Sequence, residues 1–202
     1  MKAWAVFVPL LAALLAAGCG STAKDVSRSD QSRSAAATAC PAAWRDGWQK
    51  LADRIQADVY CPSWMPDPLD GKIQGQWNNV NSVSGDRSYL ISFAWFEQGE
   101  EKHVNFRGYP GRARLPTCIG EDNRSRVPCF EDPAGTFRAN GIKATLYTVN
   151  HGADQWHLLY AWRQNGSLYS LSQHVAPPLS YGQVLGNLRH ELASLVLVHA
   201  KS

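Results

Sequence analysis

The chain has 202 residues, 45% of them apolar and 18% charged, enough for one domain with a real core and too few for two full-sized ones. Eight Trp, seven Tyr and six Phe supply far more buriable surface than a disordered chain carries. The net charge of +3 comes without a long Lys/Arg run, so no nucleic-acid partner is expected.

Lys2 precedes an apolar run from Ala3 to Ala17, broken by Pro9 and ending in Leu14-Leu15-Ala16-Ala17-Gly18-Cys19. The run is shorter than the ~20 residues a membrane-spanning helix needs. A basic start, an apolar middle and small residues at the end make 1–18 a secretory signal. The segment resembles the lipobox of bacterial lipoprotein precursors, with Cys19 as the residue that receives a diacylglyceryl group and becomes the mature N-terminus. It departs from the usual pattern in having Ala16 where Leu is commonest, with Leu15 one place early, and in having a single basic residue. The resemblance covers residues 1–19 and implies a lipid-anchored protein on the extracytoplasmic face of the cell membrane. An ordinary cleavable signal ending at Ala16-Ala17-Gly18 is the alternative.

Cysteine parity agrees with lipidation. Of the Cys at 19, 40, 61, 118 and 129, conversion of Cys19 to a thioether leaves four, which close two disulfides in an oxidising compartment. Neither Cys-x-x-Cys nor a zinc-type Cys/His spacing occurs, so no metal or other cofactor is implied. Gly20 to Ala39, rich in Ser, Ala and Thr with Val26 as its only large apolar side chain, reads together with Cys19 as a flexible tether over 19–39.

From Cys40 the pattern becomes that of a single folded domain over 40–202. Trp44, Trp48, Leu51 and Ile55 recur at helical spacing with polar residues opposite, predicting an amphipathic helix, which Cys61-Pro62 and Pro66-Asp67-Pro68 stop. Tyr89, Ile91, Phe93 and Trp95 alternate, and after a Gln98-Gly99 turn Val104 and Phe106 continue on the same face. Trp156, Leu158, Tyr160 and Trp162 alternate likewise before Asn165-Gly166, the hairpin signal that pairs Trp162 with Tyr169, Tyr160 with Leu171 and Trp156 with Val175. Weaker strands are expected at Ile73 to Val83 and Ile142 to Val149. Ser180 and Gln183 have the spacing of a capping box, followed by the helical stripe Val184, Leu185, Leu188, Leu192, Leu195 and Val196. The expected fold is α+β: an antiparallel sheet of five or six strands with an N-terminal and a C-terminal amphipathic helix packed on one face. This plan is similar to bacterial lipoprotein domains of cystatin-like or half-barrel layout, a likeness of architecture that transfers no functional residue.

Cys118 and Cys129, each near a proline, form the expected local disulfide, and elimination leaves Cys40 with Cys61. That second pair requires Cα atoms within about 7 Å, so the first helix must end by about Gln56 and the chain must double back.

No Gly-x-Ser-x-Gly elbow, His-Glu-x-x-His pair, phosphate loop or calcium loop is present, and no catalytic residue is expected. His157 falls opposite His174, with His103 on the corresponding face of its own strand, near enough for two imidazoles to share a proton or a metal; the expectation is nonetheless a solvated polar face, with no third ligand placed beside the pair. Arg107, Arg112, Arg114, Arg124 and Arg126, with Glu121 and Asp122 among them, are candidates for holding phosphates or carboxylates, the alternative being a solvated loop with internal ion pairs. The expected function is non-catalytic binding of an envelope polymer, a lipid or a protein partner by a membrane-tethered domain. A hydrolase with a non-local active site and a lipid carrier are the rivals, the hydrolase predicting a deep polar pocket that holds His157 or His174.

Overall fold

A computed structural model describes residues 39–69, 83–112, 114–119, 124–149 and 156–201. Cys19, the tether up to residue 38, Glu121, Asp122 and all but the last residue of the expected Ile73 to Val83 strand lie outside them.

The fold is α+β, mostly antiparallel sheet with two helices. Helix α1 (Ala42–Ile55) ends where Gln56 takes a left-handed conformation at φ 48°, a C-cap that reverses the chain. The reversal sends β1 (Val59–Pro62) back alongside the helix and brings Cys61 to Cys40, bonded at a Cα–Cα distance of 5.8 Å. The second disulfide joins Cys118 to Cys129, across the exposed two-stranded ribbon of β4 (Thr117–Ile119) and β5 (Arg126–Pro128).

The main sheet has six strands in the order β2-β3-β9-β8-β7-β6. They are β2 (Tyr89–Glu97), β3 (Glu100–Tyr109), β6 (Pro133–Ala139), β7 (Ile142–Val149), β8 (His157–Gln164) and β9 (Ser167–His174), all paired antiparallel. Three of its hairpins turn on Gln98-Gly99, Asn140-Gly141 and Asn165-Gly166, each with positive φ at both central residues. That geometry matches the right-handed twist of the flanking strands, which is why Asn and Gly occupy it. The β8–β9 register pairs Trp162 with Tyr169, Tyr160 with Leu171 and His157 with His174, and Val175 N–H donates to the Trp156 carbonyl at 2.7 Å.

Because side chains alternate across a sheet, this register gives each face its own rows. Ile91, Phe106, Leu171 and Tyr160 stand in line on the core face of β2, β3, β9 and β8. One residue along, Ser92, Asn105, Ser172 and Leu159 stand in line on the opposite face. Trp48 sets its edge on Phe106 at 5.8 Å and Trp44 on Phe93 at 6.2 Å.

Helix α2 (Tyr181–Ser194) opens on the Ser180/Gln183 capping box, the Ser180 hydroxyl accepting from Gln183 N–H and the Gln183 side chain accepting from Ser180 N–H. It stops at Ser194. The expected continuation of its stripe through Leu195 and Val196 is corrected: Leu195–Val198 is strand β10, paired antiparallel with β1. A Leu-Val-Leu-Val run satisfies helical and strand periods over so short a length, and the free edge of β1 decides between them.

Gly108, opposite Tyr89 in the sheet, lets the Tyr89 ring lie flat on the backbone. A Cβ there would overlap ring carbons Cε1 and Cζ and approach the hydroxyl to 2.8 Å, and the ring is buried with nowhere to retreat. Gly108→Ala should therefore cost about 2 kcal/mol through overpacking. A urea midpoint equal to that of the parent protein would show that Tyr89 moves freely.

Candidate functional site

The face of the main sheet opposite Phe106 and Leu171 carries a row of polar residues on β3 and β9, and the β4–β5 ribbon folds over it. Two contacts hold the ribbon's root: Cys129 N–H donates to the Pro116 carbonyl at 2.9 Å, and Phe130 packs on Tyr147 at 4.9 Å. Between sheet and ribbon lies a cleft of about 300 Å³. The sheet contributes the polar side chains of His103, Asn105, Arg107, Ser170, Ser172 and His157 together with Val149 and Leu159, and Phe130 and the Cys118–Cys129 bridge complete the lining. Among the described residues no Asp or Glu lines it.

Three imidazoles crowd one end. Strand β9 lies between β3 and β8, so His174 sits between His103 and His157, with ring-centre distances of 5.3 Å from His103 and 5.1 Å from His157. His103 and His157 lean across it to 4.7 Å, their Nε2 atoms 2.6 Å apart. At that separation one ring donates and the other accepts. His174 Nδ1 lies 3.0 Å from the Glu101 carbonyl oxygen, so Nδ1 carries its proton. His103 Nδ1 faces the Glu101 carboxylate at 3.8 Å. Burial, reinforced by the nearby His174 and Arg107, lowers the His103 pKa to about 4, so its ring is neutral at pH 7. The expectation of a solvated face is thereby corrected, since His174 is only 7% exposed. Among the described residues no group of three His, Cys, Asp or Glu side chains could hold a metal ion; the imidazoles are closed on one another.

The five arginines do not form one patch. Arg107 lines the cleft beside Tyr109. Arg112 pairs with Asp86 at 3.0 Å and, with Arg114, borders a separate depression next to Leu115 and Pro116. Arg124 and Arg126 are exposed on the ribbon. Only Arg107 therefore meets the imidazoles. Sequence reasoning had assigned no role to Asn105, Ser170, Ser172 or Phe130; alternation along β3 and β9 puts the first three on the His103 side, but nothing local announces that the ribbon covers them.

Searches against protein-family models, curated protein sequences and solved structures find no match to this chain.

Proposed function

We propose that this chain is a membrane-tethered extracytoplasmic lipoprotein domain that binds, without transforming it, an envelope component bearing an anionic group and an apolar portion. The anchor is the lipobox-like segment ending at Cys19, and two disulfides suit an oxidising compartment. Both amphipathic helices pack on one face of the sheet in this reading, supported by Trp44 on Phe93, Trp48 on Phe106 and Arg189 against the Tyr160 hydroxyl. The other face is left for a ligand.

The observation that carries the reading is the cleft lining: Arg107, Asn105, two serines and two imidazoles beside the apolar side chains of Phe130 and Leu159, with no carboxylate among the described lining residues. These donors suit a phosphate or carboxylate, and the apolar side chains among them suit a hydrocarbon segment. A hydrolytic role draws less support, because His103 Nε2 is turned to another imidazole rather than to a serine hydroxyl.

Dihexanoyl phosphatidylglycerol is the probe and dihexanoyl phosphatidylcholine, its zwitterionic counterpart, the control. The protein should bind the first more tightly, and Arg107→Gln should weaken that binding about 10- to 100-fold, as loss of a charge-assisted hydrogen bond does. Equal affinity for the two amphiphiles, or indifference to Arg107→Gln, sinks the proposed ligand class. Separately, Cys19→Ser should release the chain from the membrane fraction of a bacterial host and remove the diacylglyceryl mass from its N-terminus.

A further inference from the structure

His103 and His157 meet through their Nε2 atoms at 2.6 Å, a contact that fixes how many protons the two rings can carry. In the neutral pair one Nε2 holds the hydrogen and the other accepts it, which leaves Nδ1 of the donating ring bare. A proton added at that nitrogen gives an imidazolium that still donates from Nε2 to its neutral neighbour, so the contact survives. A second proton would place hydrogens on both Nε2 atoms, and the contact would be lost. The pair is therefore suited to a single positive charge. On His103 the Nδ1 atom is buried without a hydrogen-bond partner and lies 3.8 Å from the Glu101 carboxylate.

The groups facing the pair set when that charge is held. Among the described residues, β3 presents Glu101, Arg107 and Tyr109, and β9 presents His174, its ring centre 5.3 Å from that of His103 and 5.1 Å from that of His157. Strands β2 and β7 set Ala94 opposite His103 and Val149 opposite His157. Leu159 of β8, Phe130 and the ribbon's disulfide add no charge. The Glu101 carboxylate favours a proton on His103, but its side chain is 56% exposed and water screens it. Burial, then His174 and Arg107, oppose the proton and prevail, holding the His103 pKa at about 4.

A bound anion reverses that balance. His103, Asn105 and Arg107 follow one another along one face of β3 and all line the cleft, and the Arg107 charge already reaches His103. An anion held by the Arg107 guanidinium and the Asn105 amide offsets the cation that opposes the proton and attracts the proton itself. An opposite charge within ~4–6 Å moves a pKa by about 1 to 3 toward the charged form. Building on the anion reading of the cleft, we propose that the anion enters together with one proton, which the His103–His157 pair takes from solvent, so that acidity tightens binding. Proton and anion favour each other by the same factor. Affinity therefore climbs as pH falls toward the free protein's value of about 4 and levels off below it, where the free protein holds the proton as well.

The test titrates the full chain, both disulfides oxidised, with dihexanoyl phosphatidylglycerol, whose phosphodiester keeps its single charge across the range used. Affinity should be about 10-fold higher at pH 5 than at pH 7.5, the change expected when the bound anion raises the pair's pKa by about 2. At pH 5.5 the calorimetric heat of binding should depend on the buffer, because the buffer supplies the proton. The imidazole ¹⁵N signals of His103 and His157 should move toward the imidazolium position as the lipid is added, a readout that needs no variant. His103→Gln and His157→Gln should each flatten the pH dependence of whatever affinity they retain, while His190→Gln, which removes the ring stacked on Trp64, should keep it. Equal affinity at pH 5 and 7.5, a heat of binding that is the same in every buffer, or a pH dependence that survives both substitutions in the pair would overturn the coupling and leave anion binding in place. No binding of phosphatidylglycerol at any pH would remove the anion reading and the coupling with it.

Discussion

Replacing Cys40 and Cys61 together by alanine should lower the unfolding free energy by about 3 kcal/mol, the loop-closure entropy restored to the unfolded chain by a bridge of this span. The bridge spans 21 residues and ties the residue entering α1 to strand β1, enclosing the whole helix. Without it, the left-handed turn at Gln56 and the β1–β10 pairing must hold the reversal alone. The two bridges should also differ in accessibility. Cys40 and Cys61 are buried, whereas Cys118 lies exposed on the ribbon and Cys129 is half-buried. A mild reductant should therefore open Cys118–Cys129 in the folded protein and leave Cys40–Cys61 closed until the domain unfolds. Urea titration of the double variant checks the first expectation and differential alkylation read by mass spectrometry checks the second. An unchanged urea midpoint would mean that α1 is held without the bridge, and simultaneous labelling of all four sulfurs would mean that burial does not protect the inner pair.

What could be read from the sequence divides along a physical line between local and non-local information. The β8–β9 hairpin was legible because Asn165-Gly166 fixes a two-residue turn and the alternation of large side chains agrees with it, so even the His157–His174 pairing followed. Asn140-Gly141 offers the same signal for β6 and β7, but β6 is an edge strand with exposed or half-exposed side chains, and without apolar alternation the turn stands alone. The helical stripe takes in Leu195 and Val196, which belong to β10, because the short apolar run Leu195–Val198 carries no period of its own. The third imidazole shows the deeper limit. His103 falls on the correct face of β3, yet β3 pairs with β9 across five intervening strands, and no turn chemistry encodes that adjacency. The arginines err in the opposite direction. They are neighbours in the chain, and the ribbon and the Arg112–Asp86 pair disperse them.

Helix α2 buries one carboxyl group, that of Glu191. The stripe that predicts α2 runs through Val184, Leu188 and Leu192, and Glu191 falls beside it, three residues after Leu188 and seven after Val184, a core-facing position. The residue is fully buried, and neither carboxylate oxygen has a hydrogen-bond partner. Burial alone drives its pKa well above the ordinary carboxyl value. The folded state therefore holds the proton more tightly than the unfolded chain. Its contribution is fully present below the unfolded pKa of about 4.3 and is lost as pH rises, at up to about 1.4 kcal/mol per pH unit, until the raised folded value is passed. His103 acts in the opposite sense: with its folded pKa lowered to about 4 from 6.5, stability is lost as pH falls across that interval. The difference between the parent and Glu191→Gln curves cancels the His103 contribution and isolates the carboxyl. Glu191→Gln keeps the shape and cannot ionise, so it should be more stable than the parent at pH 7, with the gap narrowing steadily toward pH 4.5. Glu191→Leu, which also removes the unpaired polar atoms, should gain further. Denaturant midpoints measured from pH 4.5 to 8 decide the matter, and parallel curves for parent and Glu191→Gln would mean that the carboxylate finds a partner or water in solution. A helix that keeps an ionisable group under its apolar stripe gives up stability at neutral pH that leucine would supply, so the sign of this gap measures how much the domain concedes at that position.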